Sequence, residues 1–155
     1  MDASVDLATG LLVEVQRRRS ELRASMSQLE LALASAARAG GTASWAERLR
    51  AALTGLYDEF AEHVAITEGP DGLYQELARH SPRLVHVVER LTTEHAEIVR
   101  RTEELLTWTD VTAEVPDVAE VRRTGTELLA ALMRHRQRGA DLVFEAYDFD
   151  IGGET

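Results

Sequence analysis

The chain of 155 residues contains no cysteine. That excludes a disulfide framework, a thiolate metal site and a cysteine nucleophile. It fits a reducing compartment, and a cytoplasmic location is the expectation. Proline is scarce and glycine clustered, with three and ten residues, so the chain can run in long uninterrupted helices. Positive charge is also in short supply. Seventeen Lys and Arg face 27 Asp and Glu, for a formal net charge of −10. Nucleic acid and anionic membranes are both held by basic surfaces, so neither is an expected partner. The run Arg17-Arg18-Arg19 is too short to change this. No apolar run is long enough to span a bilayer. Residues Met1 to Gly10 carry acids and lack a basic stretch followed by an apolar one, so no secretory signal is expected. No glycine-rich phosphate loop, serine-nucleophile motif or internal repeat is present.

What remains is the composition of a folded domain. Hydrophobic residues make up 45% and charged residues 28%, and the length allows one sizeable core. We expect a single domain over 1–155, ending in a short acidic tail from about residue 148.

Apolar residues recur at alternating steps of three and four, the period of a helix with one buried face. A first helix is expected from about Asp6 to Ala39, with Leu12, Val15, Arg19, Leu22, Met26, Leu29, Leu33 and Ala36 inward. Gly40-Gly41 would end it. A second opens with Ser44 and Glu47, spaced as a capping box. Its stripe is Leu49, Leu53, Leu56, Phe60, His63 and Thr67, and Gly69-Pro70 interrupts it. A short helix from about Asp71 to Arg79 follows. A third long helix starts at Ser81-Pro82, serine as cap and proline at the first position. Its stripe is Leu84, Val88, Leu91, His95, Ile98, Thr102 and Leu105, ending near Asp110. The last begins at Pro116, with Val118, Val121, Gly125, Leu128, Leu132, His135, Gly139, Leu142 and Ala146 inward. Four long amphipathic helices with short connections imply an all-α, antiparallel up-down four-helix bundle.

In a helical hairpin, residues equally far from the turn lie at one height. Arg19 is 22 residues before Gly41, and His63 is 22 after it. His95 is 20 residues before Val115, and His135 is 20 after it. One core layer should therefore hold three imidazoles and a guanidinium. A lone histidine on an apolar stripe is usually a satisfied core residue. Three at one level on three helices point to a bound metal or cofactor.

The segments His63-Val64-Ala65-Ile66-Thr67-Glu68-Gly69-Pro70, Leu91-Thr92-Thr93-Glu94-His95 and Met133-Arg134-His135 resemble the hemerythrin family, or HHE cation-binding domain. The resemblance runs from about Leu12 to Glu145. It implies a four-helix bundle around a non-haem di-iron site. Members bind or sense oxygen, or handle peroxide, nitric oxide or iron. Of the family's seven ligand positions, His63, His95 and His135 match. Arg19, Thr67, Leu91 and Ala140 stand at the other four, and Glu68 lies one residue past the second-helix glutamate position. With both bridging carboxylates missing and an arginine nearby, the charge of two iron ions would go unbalanced. A standard di-iron centre is therefore not the expectation.

Three occupants of the layer stay open. A single ion could be held by His63, His95 and His135, with Glu68 as an oxygen ligand; imidazole suits iron, zinc and copper alike. Haem could fill the volume freed at Thr67, Leu91, Gly139 and Ala140, with His135 axial, His95 and His63 distal, and Arg19 on a propionate or substrate carboxylate. The bland alternative for Gly125, Gly139 and Ala140 is close helix packing. The third possibility is a metal-free binding or regulatory module, with Arg19 paired to Glu68. The first two suit an iron- or haem-dependent oxidoreductase or sensor for oxygen, peroxide or nitrogen oxides. The oligomeric state is not readable.

Glu94 reads as a solvated helix residue, and His80 and His86 as surface residues. Trp45 and Trp108 are expected to cover the bundle ends. Whether the tail folds back as a lid, meets a partner or stays disordered is open.

Overall fold

The computed structural model describes residues 3–35, 41–110 and 117–147, with side chains from residue 9 onward. Helix α1 covers Ala3–Ala34, α2 Gly41–Glu68, α3 Leu73–His80, α4 Val85–Trp108 and α5 Val118–Phe144. A single 3-10 turn, Pro82–Leu84, joins α3 to α4. The four long helices pack in the ring order α1, α2, α4, α5. Neighbours run antiparallel. The Trp45 indole near the start of α2 donates to the carbonyl of Ala32 near the end of α1. Arg122 near the start of α5 donates to the carbonyls of Leu33 and Ser35. Tyr57 of α2 pairs with Glu103 late in α4, while Glu68 pairs with His95 earlier in it.

The periodic stripes form the core. Burial of Leu22, Leu29, Leu49, Leu53, Leu56, Leu91, Leu105, Leu128 and Leu132 is complete. Such burial, worth about 1.5–3 kcal/mol per large aliphatic side chain, is what orders the helices. Gly125 has the packing role its stripe suggested, because a Cβ there would lie 2.7 Å from Leu33. Gly139 does not; a Cβ there would meet nothing within 4 Å.

Several helix ends differ from the sequence expectation. Helix α2 starts at Gly41 (φ 87°), so Ser44 lies inside it and the capping box does not form. Its hydroxyl accepts from Arg48 instead, and the Trp45 bond to α1 anchors this end through tertiary contact. Ser81 caps nothing with its side chain, and its buried hydroxyl has no partner; the 3-10 turn delays α4 to Val85. Asp117 caps α5 by accepting from the backbone N–H of Ala119. The stripe position Ala36, the glycine Gly40, the start at Pro116 and the acidic tail lie outside the described residues.

The core is divided in two. One cluster includes Leu22, Phe60, Ile98 and Leu132; the other includes Val15, Tyr74, Leu91 and Leu142. Arg19, His63, His95 and His135 fall between them in sequence on each of the four long helices, so a polar layer separates two apolar halves.

Candidate metal centre

Helices α2, α4 and α5 each contribute one buried histidine, His63, His95 and His135, to this layer. One ring nitrogen from each lies within 4.8 Å of the other two. The Nε2 atoms of His95 and His135 are 3.0 Å apart, and those of His63 and His135 are 3.3 Å apart. Phe60 is in ring contact with all three, at 5.5–6.0 Å between centroids, and walls the site from the apolar half it belongs to.

Carboxylates fix two of the three rings. Glu68 accepts from His95 Nδ1 at 2.8 Å, and Glu94 accepts from His135 Nδ1 at 3.1 Å. An ionised carboxylate can only accept, so each Nδ1 carries the hydrogen. Each Nε2 is then left with a bare lone pair aimed at the layer's centre. This is the outer arrangement that orients histidines on a metal. His63 has no such partner, and its Nδ1 is buried without a hydrogen bond.

Burial also keeps the rings neutral. It lowers His63 to about 3, helped by the neighbouring His135 and by the Arg19 charge. It lowers His95 to about 2, with His63 and His135 adding to the effect. Burial lowers His135 as well, although Glu94 opposes it. Burial raises Glu68.

Two expected roles need correction. Glu68 occupies His95 Nδ1, on the far side of that ring, so in this arrangement it acts through His95 and not as a direct ligand. Glu94 is not a solvated helix residue. Its side chain is only 16% exposed, one oxygen holds His135, and the other holds Arg138.

The remaining positions are peripheral. Arg19 is half-buried and donates to the carbonyl of Arg136 at 3.3 Å. Its expected ion pair with Glu68 is not made, because that carboxylate is taken by His95. Thr67 is buried and donates back to the carbonyl of His63. Gly139 and Ala140 are half-buried. His86 is exposed; His80 is exposed too, yet meets the buried Glu76 at 2.7 Å. Trp45 is fully buried, and Trp108 packs partly buried on the same apolar cluster.

A comparison with protein families matches the hemerythrin HHE cation-binding domain over residues 12–147. The chain belongs to the hemerythrin family. No curated protein and no solved structure matched it. Membership carries cation binding with it, and the three buried histidines are a group able to hold a metal in this hemerythrin.

The spacing of the donors bears on that role. Nitrogens bound at about 2.1 Å to one ion lie about 3.0 Å apart in an octahedral site and about 3.4 Å apart in a tetrahedral one. Two of the three separations, 3.0 and 3.3 Å, fall within this range, and all three nitrogens lie within 4.8 Å of one another, so the residues can converge on one ion. They do not fit two, because Thr67 and Ala140, at the bridging-carboxylate positions that the family resemblance implies, supply no carboxylate.

Sequence reasoning missed one further neighbour. Tyr74 of α3 is buried, and its hydroxyl lies 3.3 Å from His95 Nε2. The available signal was its place, seven residues past Thr67 and just beyond the Gly69-Pro70 break.

Among the described residues, no helix is long and apolar enough to cross a membrane.

Proposed function

We propose that this hemerythrin holds a single redox-active ion, iron, on the Nε2 atoms of His63, His95 and His135, and handles or senses oxygen, peroxide or nitrogen oxides there. One observation carries the reading. His95 and His135 each give their only ring hydrogen to a carboxylate, yet their Nε2 atoms face each other at 3.0 Å. Two lone pairs at that distance repel. Burial disfavours a second proton on either ring. A cation between them removes the conflict.

When bound, iron would supply electron transfer and Lewis acidity to a small ligand. The chain's own residues set the conditions. Three neutral imidazoles bring no charge, so Glu68 and Glu94 offer the nearest compensation. Their hydrogen bonds hold the ring tautomers. Phe60 and the two apolar clusters keep bulk water out of the layer. The contact among the three rings favours an ion over haem, because a macrocycle would require them to part. In a cation-free module Tyr74 and His63 could donate to these two nitrogens, but the close approach of His95 Nε2 to His135 Nε2 at 3.0 Å would remain.

The test is the metal content and ultraviolet–visible spectrum of protein purified from cells supplied with iron. We expect about one iron per chain and no Soret band. A Soret band would transfer the assignment to haem. Neither metal nor haem would sink both. His135→Ala should lose the ion while circular dichroism still reports a helical bundle; unchanged metal content would remove His135 from the ligand set.

A further inference from the structure

We propose that Tyr74 supplies a fourth donor to the ion, through its phenolate oxygen; the inference rests on the three-histidine reading above. Its hydroxyl does not approach the outer face of the site. It lies 3.3 Å from Nε2 of His95, the nitrogen that faces the ion. That separation equals the distance between His63 Nε2 and His135 Nε2. It falls within the spacing of about 3.0–3.4 Å expected between two donors on one ion. Tyr74 meets this spacing to the His95 nitrogen, the one member of the cluster its hydroxyl is seen to touch.

The surrounding chain holds it there. The backbone N–H of Gly72 donates to the carbonyl of Gly69 at 2.8 Å, folding the chain back on the end of α2. The fold-back is so close that a Cβ at Gly72 would lie 2.7 Å from the carbonyl oxygen of Thr67 and 2.8 Å from that of Ile66. This tight turn starts α3 beside the last turn of α2. Leu73 and Leu77 then anchor α3 in the apolar cluster. The Tyr74 ring stacks on His95, with centroids 5.6 Å apart and planes 14° from parallel. The Thr67 hydroxyl donates back to the carbonyl of His63 and also meets the Tyr74 hydroxyl in a side-chain hydrogen bond.

In the metal-free chain the Tyr74 hydroxyl can donate to the bare Nε2 of His95. Burial, with the Glu68 and Glu94 charges nearby, pushes the phenol well up, so its ionisation would depend on the ion. With a cation held at that nitrogen, Tyr74 would lose this acceptor, release its proton to buffer and offer the oxygen as the fourth donor, with no change of oxidation state. The anionic oxygen would also add negative charge to a donor set that otherwise has none.

The experiment loads the wild-type chain and Tyr74→Phe with ferric iron, and separately titrates both with zinc against a chromophoric chelator. Wild type should show a visible phenolate-to-iron charge-transfer band, with phenolate vibrations on Raman excitation within it. Tyr74→Phe keeps the ring that stacks on His95. It should still bind one iron per chain but lose the band, and its zinc affinity should fall at least about tenfold. Tyr57→Phe, on a surface pair with Glu103, should change neither. Iron-loaded wild type without phenolate bands, or Tyr74→Phe with wild-type zinc affinity, would overturn the assignment while leaving the three-histidine site standing. Failure of wild type to bind either ion would overturn both. Should Tyr74→Phe not fold, the Raman spectrum of the wild-type chain decides alone.

Discussion

Glu94 joins His135 to Arg138: one carboxylate oxygen accepts from the imidazole Nδ1 and the other from the guanidinium. The contact spans α4 and α5, so a single side chain fixes both a ring tautomer and a helix–helix contact. Glu94→Gln can still accept at one atom, but it loses the charge that polarises His135. Metal affinity should drop roughly 10- to 100-fold, the usual cost of losing such a partner. Zinc titration checks it; unchanged affinity would show that His135 needs no orientation.

Acid should destabilise the metal-free chain. His63 and His95 have folded pKa values lowered from 6.5 to about 3 and about 2. Below pH 6.5 the unfolded chain takes up protons that the folded chain refuses, so stability is full above that pH and falls progressively toward pH 3. Melting temperatures of the metal-free protein from pH 8 to pH 4, a range set by those two values, should decline below about 6.5. Replacing both rings, as in His63→Leu with His95→Leu, should flatten the curve. A double variant with the same decline would place the acid sensitivity elsewhere.

Arg19 should oppose cation binding. Its charge lowers the pKa of both His63 and His135, and the same field repels a metal ion. Among the described residues no carboxylate pairs with it. Arg19→Leu should therefore tighten zinc binding a few-fold, and more at low salt than at high salt, as expected for a charge that salt can screen. Weaker binding would give Arg19 a supporting role instead.

Leu128 tests whether fold and site are separable. It is fully buried in the apolar cluster that contains Phe60. Leu128→Ala should cost about 2–5 kcal/mol of unfolding free energy. Metal bound per folded molecule should stay unchanged. A proportionate loss of metal would mean that the layer depends on the packing beside it.

The sequence is most informative where one residue type has one physical use. The stripes in α2, α4 and α5 give the buried face almost residue by residue, because leucine at a helical period has nowhere else to go. The convergence of His63, His95 and His135 follows from equal distance to the turns. Other features depend on the third dimension. Glu94 is one residue off its stripe, and only the approach of α5 turns that border position into a contact. Glu68 was legible as a nearby acid, but which nitrogen of which ring it meets is set by rotamers. Tyr74 reaches the layer through the Gly69–Gly72 fold-back, a shape that no periodicity encodes. The capping box at Ser44 does not form because α2 already begins at Gly41, three residues earlier.

The polar layer between two apolar clusters has a consequence for how this protein can change. Each cluster buries its own leucines without help from the histidines, so exchanging a ligand does not first require rebuilding the scaffold. A chain partitioned in this way can exchange residues of the layer while the leucines on either side still hold the helices together.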